Sequence, residues 1–224
     1  IQSRIIKEKQ STIHTKIKEN KMGMDVYGRN PKQNKPLSEF PVYAKYKKME
    51  AEDKDNGFQR KWKELDADHD LREQYHKEWD NYEQANVGYY FRNNCWWWRP
   101  LWNYCHTIAP ELINEELFDS GHSNSGSGLN DEDAKKLGNI LMDEIASGRT
   151  IQYQASHQQY LDDLPDDDCW SCKNNNRGHN KKKECKSCNK TGKTKNFNKN
   201  YPFDVDNVEG FAKFCLECGG FEIC

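Results

Sequence analysis

The stretch CWWWRPLWNYC, residues 95–105, places four of the chain's seven tryptophans within seven consecutive positions. It constrains the fold more than any other feature, because the rest of the chain offers little to bury. Hydrophobic residues make up 34% of 224 and the mean hydropathy is -1.16, short of the ~45–50% apolar share, glycine included, of ordinary globular domains. The core must therefore be small and must form around these indoles, each able to bury ~150–250 Å². With 31% charged residues beside 7 Trp, 11 Tyr and 9 Phe, the composition predicts islands of order rather than general disorder.

Pro100 suits the first turn of a helix, with Leu101, Tyr104, Cys105 and Ile108 on one apolar face and Pro110 ending it. Trp96, Trp97 and Trp98 then form an extended lead-in of alternating direction, and Trp102 lies on the helix. Two readings of the cluster stand side by side. Either most of the indoles close the core, or Trp96, Trp97 and Trp98 form a binding platform on which Arg99 stacks.

The chain divides into six segments. Residues 1–21 are a basic run without amphipathic period, read as upstream sequence or a disordered arm before a start at Met22 or Met24. Residues 22–41 are an opening motif and a proline-bearing linker (Pro31, Pro36, Pro41). Residues 42–87 read as a charged helical insertion. Phe58, Trp62 and Leu65 share one stripe and Leu71, Tyr75, Trp79 and Tyr82 another, so two helices or one bent helix fit, with DKDNG at 53–57 as a break. Asp66, Asp68 and Asp70 imitate the start of a calcium loop, but Leu71 and Lys77 stand where its Gly and Glu belong, which leaves a solvated helix face.

Residues 88–168 form the Trp-rich helical core. Its second helix is capped by Asn130 with Asp133, buries Ala134, Leu137, Leu141 and Ile145 and stops at Gly148; a polar helix spans about 151–164. Residues 169–200 are the metal hairpin described next. Residues 201–224 complete the core with a helix capped by Asp206 and Glu209, burying Val208, Phe211, Ala212 and Cys215 and ended by Gly219 and Gly220.

The strongest chemical signal is Cys169-Trp-Ser-Cys172, twelve residues, Cys185-Lys-Ser-Cys188. Each C-x-x-C pair is a tight turn aiming two thiolates at one point, and two pairs supply the tetrahedral sulfur shell of a structural Zn²⁺. The first thirty residues carry no signal-peptide run and no window reaches the ~20 apolar residues of a membrane span, so metal is preferred to disulfides and the chain reads as a soluble intracellular protein without membrane association. Residues 173–200 carry nine Lys and Arg177 against Glu184, and Lys181, Lys182 and Lys183 with Trp170 and Phe197 suggest a nucleic-acid surface. The alternative is a Lys- and Asn-rich composition without a partner. Cys215-Leu-Glu-Cys218 reads as core thiols. Cys105 and His106 point to different helix faces and make no nucleophile–base pair.

MGMDVYG at 22–28, GYYFRNNCWWWRPLWNYC at 88–105, SGRT at 147–150, YPF at 201–203 and GGFEIC at 219–224 resemble a family of small uncharacterised proteins of bacteriophages and bacteria. The resemblance implies a phage or prophage origin and the cytoplasm of a bacterial host, and brings no catalytic residues. Against that family, residues 31–87 look inserted. The cysteine pairs are similar to the C-x-x-C-x-G-x-G turns of DnaJ-type zinc regions, with Gly192 kept after Cys188 and Lys190, Asn174 and Asn176 replacing the other glycines.

The expected fold is mainly α, with α+β as the alternative: a small aromatic-core helical domain, an inserted zinc-ribbon-like hairpin and a charged helical arm. The expected function is a phage-encoded, non-enzymatic zinc-binding accessory protein that binds a host or phage macromolecule, a protein first of all. Nucleic-acid binding through the hairpin is the second reading, and an enzyme or small-molecule binder using the Trp cluster the third.

Overall fold

The structure, a computed structural model, describes residues 23–173 and 185–224. The basic run at 1–21 and the Lys181–Lys183 cluster lie outside them. The fold is mainly α with a small three-stranded sheet, and among the described residues no helix is long and apolar enough to cross a membrane.

The opening motif is the central strand. β1 (Gly23–Gly28) pairs antiparallel with β2 (Tyr90–Asn94), Val26 opposite Phe91, and on its other side with the C-terminal strand Phe221–Ile223, Val26 opposite Ile223. Met24 and Val26 enter the core while Tyr27 stays exposed, the alternation of a half-buried strand. The Gly/Ser loop covers the outer edge of the C-terminal strand: Ile223 N–H donates to Ser127 at 2.7 Å and Gly126 N–H to Ile223 at 2.7 Å. That removes an open edge.

Three helices, rather than two or one bent one, occupy the charged segment: α1 (Pro41–Glu52), α2 (Gly57–Ala67) and α3 (His69–Ala85). DKDNG breaks the first from the second. Asp68 separates the second from the third by accepting a hydrogen bond from Leu71 N–H, so an acid of the calcium-like run serves as an N-cap. These helices enclose their own core of Phe40, Tyr43, Tyr46, Leu65, Tyr75 and Tyr82. Phe58 is exposed, and Lys61 is buried in its place, at 2.6 Å from Glu50.

The Trp-rich helix, α4 (Cys95–Ile108), begins five residues before Pro100, which corrects the extended lead-in. Asn94 accepts from the N–H groups of Trp96 and Trp97, and this cap fixes the start. Pro100 lies inside the helix at the cost of one early backbone bond. Trp98 and Trp102 stack at 5.3 Å, both shut from water, and their indole N–H groups donate to the carbonyls of Gly121 and Phe118. A short helix, α5 (Glu115–Ser120), supplies the second of these acceptors.

α6 (Asp131–Ala146) is capped by Asn130 and buries Ala134, Leu137 and Leu141 as its stripe requires; α7 (Arg149–Asp163) follows Gly148. After the metal hairpin, α9 (Val205–Glu217) packs against α6 and buries Val208, Phe211, Ala212 and Cys215. Its cap is Asp204, not Asp206. Gly219 and Gly220 take φ of 62° and 85°, a reversal that suits glycine, and β5 (Phe221–Ile223) then joins the sheet.

Candidate metal centre

The two cysteine pairs are brought together by a two-residue ladder, β3 (Asp167–Asp168) against β4 (Lys193–Thr194). Cys169 follows the first strand, and Cys172 lies in the single-turn helix α8 (Trp170–Lys173). The N–H groups of Cys172 and Lys173 both donate to the Cys169 carbonyl at 3.0 Å. Cys185 and Cys188 form the matching turn: Lys190 N–H reaches the Cys185 carbonyl at 3.1 Å and Thr191 N–H the Cys188 carbonyl at 3.0 Å. A bond of 2.9 Å from Cys169 N–H to the Gly192 carbonyl ties the turns to each other.

Sγ of Cys169 lies 3.7 Å from that of Cys185, Sγ of Cys172 lies 3.7 Å from that of Cys188, and all four fall within 4.8 Å of one another. A regular tetrahedron with sulfur at ~2.3 Å from a central ion has edges of about 3.8 Å. The cluster therefore fits one tetrahedrally bound metal ion, and its separations are far beyond the ~2.0 Å of a disulfide. Cys169 and Cys188 are buried, Cys172 and Cys185 half-buried. No His, Asp or Glu joins the group among the described residues. Four sulfurs around one ion would fill its tetrahedron and leave no position for a reacting water, the arrangement of a structural rather than a catalytic site.

The thiols are not equivalent. A hydrogen bond from the Cys188 backbone holds Cys185 low, at about 6, while desolvation and then the neighbouring sulfurs push Cys172 up to about 12. Gly192 N–H also donates to Cys188 Sγ at 3.3 Å. A metal ion bound here would take the place of the thiol protons.

The turn after Cys188 is left-handed at successive positions. Lys190 has φ 70° and Gly192 has φ 77°, a region that glycine enters freely and a lysine enters at a cost. Asn189, at φ 47°, precedes them.

The acidic run before the cysteines is a part of the site that the sequence reading left unassigned. Lys193 pairs with Asp168 at 2.6 Å and Lys199 with Asp166 at 3.9 Å, while Asp167 accepts from Phe197 N–H at 2.9 Å and from the Asn196 side chain at 3.1 Å. The clue was charge complementarity, acids ahead of the first pair and lysines after the second.

The proposed Trp platform is not one surface. Trp98 is fully buried, because its side of α4 faces Phe211 at 5.5 Å and the core. Trp97 is half-buried, and Trp96 packs on Tyr201 at 4.8 Å and Phe197 at 5.3 Å. Arg99 is exposed, but it stacks on Tyr201 rather than an indole and donates to its hydroxyl at 2.7 Å. The metal module carries two of the most exposed rings, Trp170 at 73% and Phe197 at 58%, beside Phe58 at 61% on α2.

Cys105, Cys215 and Cys218 are core thiols, fully buried. Burial raises all three, Cys218 to about 11. His106 is turned away from Cys105, its Nδ1 at 2.8 Å from the Ile113 carbonyl. No protein-family model, curated protein or solved structure matches the chain.

Proposed function

We propose that the protein is a non-enzymatic zinc-binding accessory protein, encoded by a phage or prophage and acting in the bacterial cytoplasm, that docks on a host or phage protein. The observation that carries this reading is the closed four-sulfur cluster. Zinc suits it because four thiolates in a tetrahedron satisfy an ion with no redox chemistry of its own. A filled shell orders the chain around it, and what it orders here is a small module presenting Trp170 and Phe197 to solvent. Exposed aromatic rings on a rigid support are the usual anchors of protein interfaces.

A second reading, nucleic-acid binding, is favoured by one feature of the same module: Lys173, Lys186 and Lys195 form no ion pair among the described residues and accompany rings on which bases can stack. The pairing of Lys193 and Lys199 with the acidic run weighs against it.

The test is an affinity capture from bacterial lysate with the zinc-loaded chain, with and without nuclease, beside Trp170→Ala. A stoichiometric protein that survives nuclease and is lost with Trp170→Ala supports docking on a protein. Partners that vanish with nuclease, and weaken when Lys181, Lys182 and Lys183 become Glu, give the second reading. Iron in place of zinc in the purified chain overturns the metal assignment.

A further inference from the structure

The three-helix bundle and the sheet border an open cleft of about 360 Å³ remote in sequence from the metal centre. Its walls are rings and charges rather than aliphatic side chains. Tyr43 and Trp79 lie parallel with centroids 6.5 Å apart, Tyr75 packs beside both, and Tyr27 leans on Tyr90 at 5.1 Å from the strand side.

The carboxylates that face this space are engaged inside the protein. Glu50 holds Lys61 at 2.6 Å, Asp25 accepts the Tyr90 hydroxyl and lies 3.4 Å from Arg92 Nε, and Glu83 accepts the indole N–H of Trp79. Two cations are less occupied. Lys47 donates to a neutral partner, the Tyr89 hydroxyl at 3.0 Å, and forms no ion pair among the described residues. Arg92 uses Nε, and its terminal nitrogens engage no acceptor among the described residues. Desolvation raises Glu83 to about 7, which disfavours its charged form beside the cations Lys47, Lys61 and Arg92 that line the same cleft.

We propose that this cleft binds a small organic dianion bearing a planar ring, of the class of a nucleoside monophosphate, its phosphate at Lys47 and Arg92 and its ring against the tyrosine and Trp79 wall. Two cations with donor capacity beyond their protein partners match a phosphate, flat aromatic faces match a base, and the volume is that of a compact ligand site, at the low end of the usual ~300–1,000 Å³. The site uses none of the metal ligands and stands apart from the docking role of the metal module.

Calorimetry on the metal-loaded full chain decides the matter, with the four common ribonucleoside monophosphates, their nucleosides and inorganic phosphate as probes. At least one monophosphate should bind at one per chain, with its nucleoside and free phosphate about tenfold or more weaker. Lys47→Met and Arg92→Gln should each weaken it about tenfold without moving the thermal midpoint, and Trp170→Ala should change nothing. The proposal is overturned if no monophosphate binds, if phosphate alone binds as tightly, or if either charge variant binds like the native chain. Arg92, about half exposed, gives a variant whose folding is not at risk.

Discussion

Around α4, Trp98, Trp102, Leu101 and Cys105 are shut from water, and Phe211, Phe214, Leu137 and Ile223 close over them. Between Pro165 and Thr194, Cys169 and Cys188 alone among the described residues reach that burial, and both are candidate ligands. One region is ordered by the area it removes from water, the other by four sulfurs and a few charge-assisted bonds. A chain with so few apolar residues can support one well-packed aromatic core and must order its remaining polar segments by other means.

The largest effect expected from this contrast is that of metal removal. Structural zinc contributes an apparent ~10–16 kcal/mol in small zinc modules near neutral pH, and nothing else in the hairpin approaches that. Chelation should abolish amide protection over residues 165–173 and 185–195 while the emission of the buried Trp98 and Trp102 stays blue-shifted. Phe203 and Tyr201 are held to the core by Tyr104, Tyr153 and Arg99, so unfolding should stop before them. Cys169→Ser should reproduce the chelator. Loss of both signals in a single transition would show one cooperative unit, and the contrast between the regions would collapse.

The converse change is Trp98→Ala. It removes a fully buried indole, its stacking partner for Trp102 and the donor to Gly121, and large-to-small changes of this kind cost ~3–5 kcal/mol. Denaturant unfolding should show that loss while the chain, below its transition, still carries one metal ion. Release of metal in parallel with core unfolding would mean that the module borrows its order from the core rather than from its ligands.

How far each region was legible follows from the same physics. The four-cysteine cluster was readable because spacing alone fixes a C-x-x-C turn. α6 and α9 were readable because an amphipathic stripe, a capping residue and terminal glycines agree. The sheet was not: β1 and β5 are three to six residues long and pair across almost the whole chain, and local sequence carries little trace of such pairing. Trp98 was misplaced because Pro100 was weighted as a helix start, whereas Asn94 sets it. The cleft was hidden for a third reason. Lys61 and Glu83 look like members of a solvated helix face until α1, α3 and the strands close over them, and no single helix encodes that closure.

The smallest effect probes the turn itself. Lys190 holds φ 70°, a conformation that costs a side-chain-bearing residue ~1 kcal/mol or more, and its carbonyl and N–H lie in the loop that wraps Cys188. Lys190→Gly should relieve that strain. Glycine also gains freedom in the unfolded chain, which offsets part of the relief, so the net gain should be about 0.5 kcal/mol, a roughly twofold tighter apparent metal affinity. Competition with a calibrated chelator measures it, and the denaturant midpoint of the Trp core should not move. Gly192→Ala, at φ 77°, should act in the opposite direction. If Lys190→Gly weakens metal binding instead, the lysine side chain contributes more to the site than its backbone strain costs. The metal module would then draw on a peripheral charge as well as on its four sulfurs.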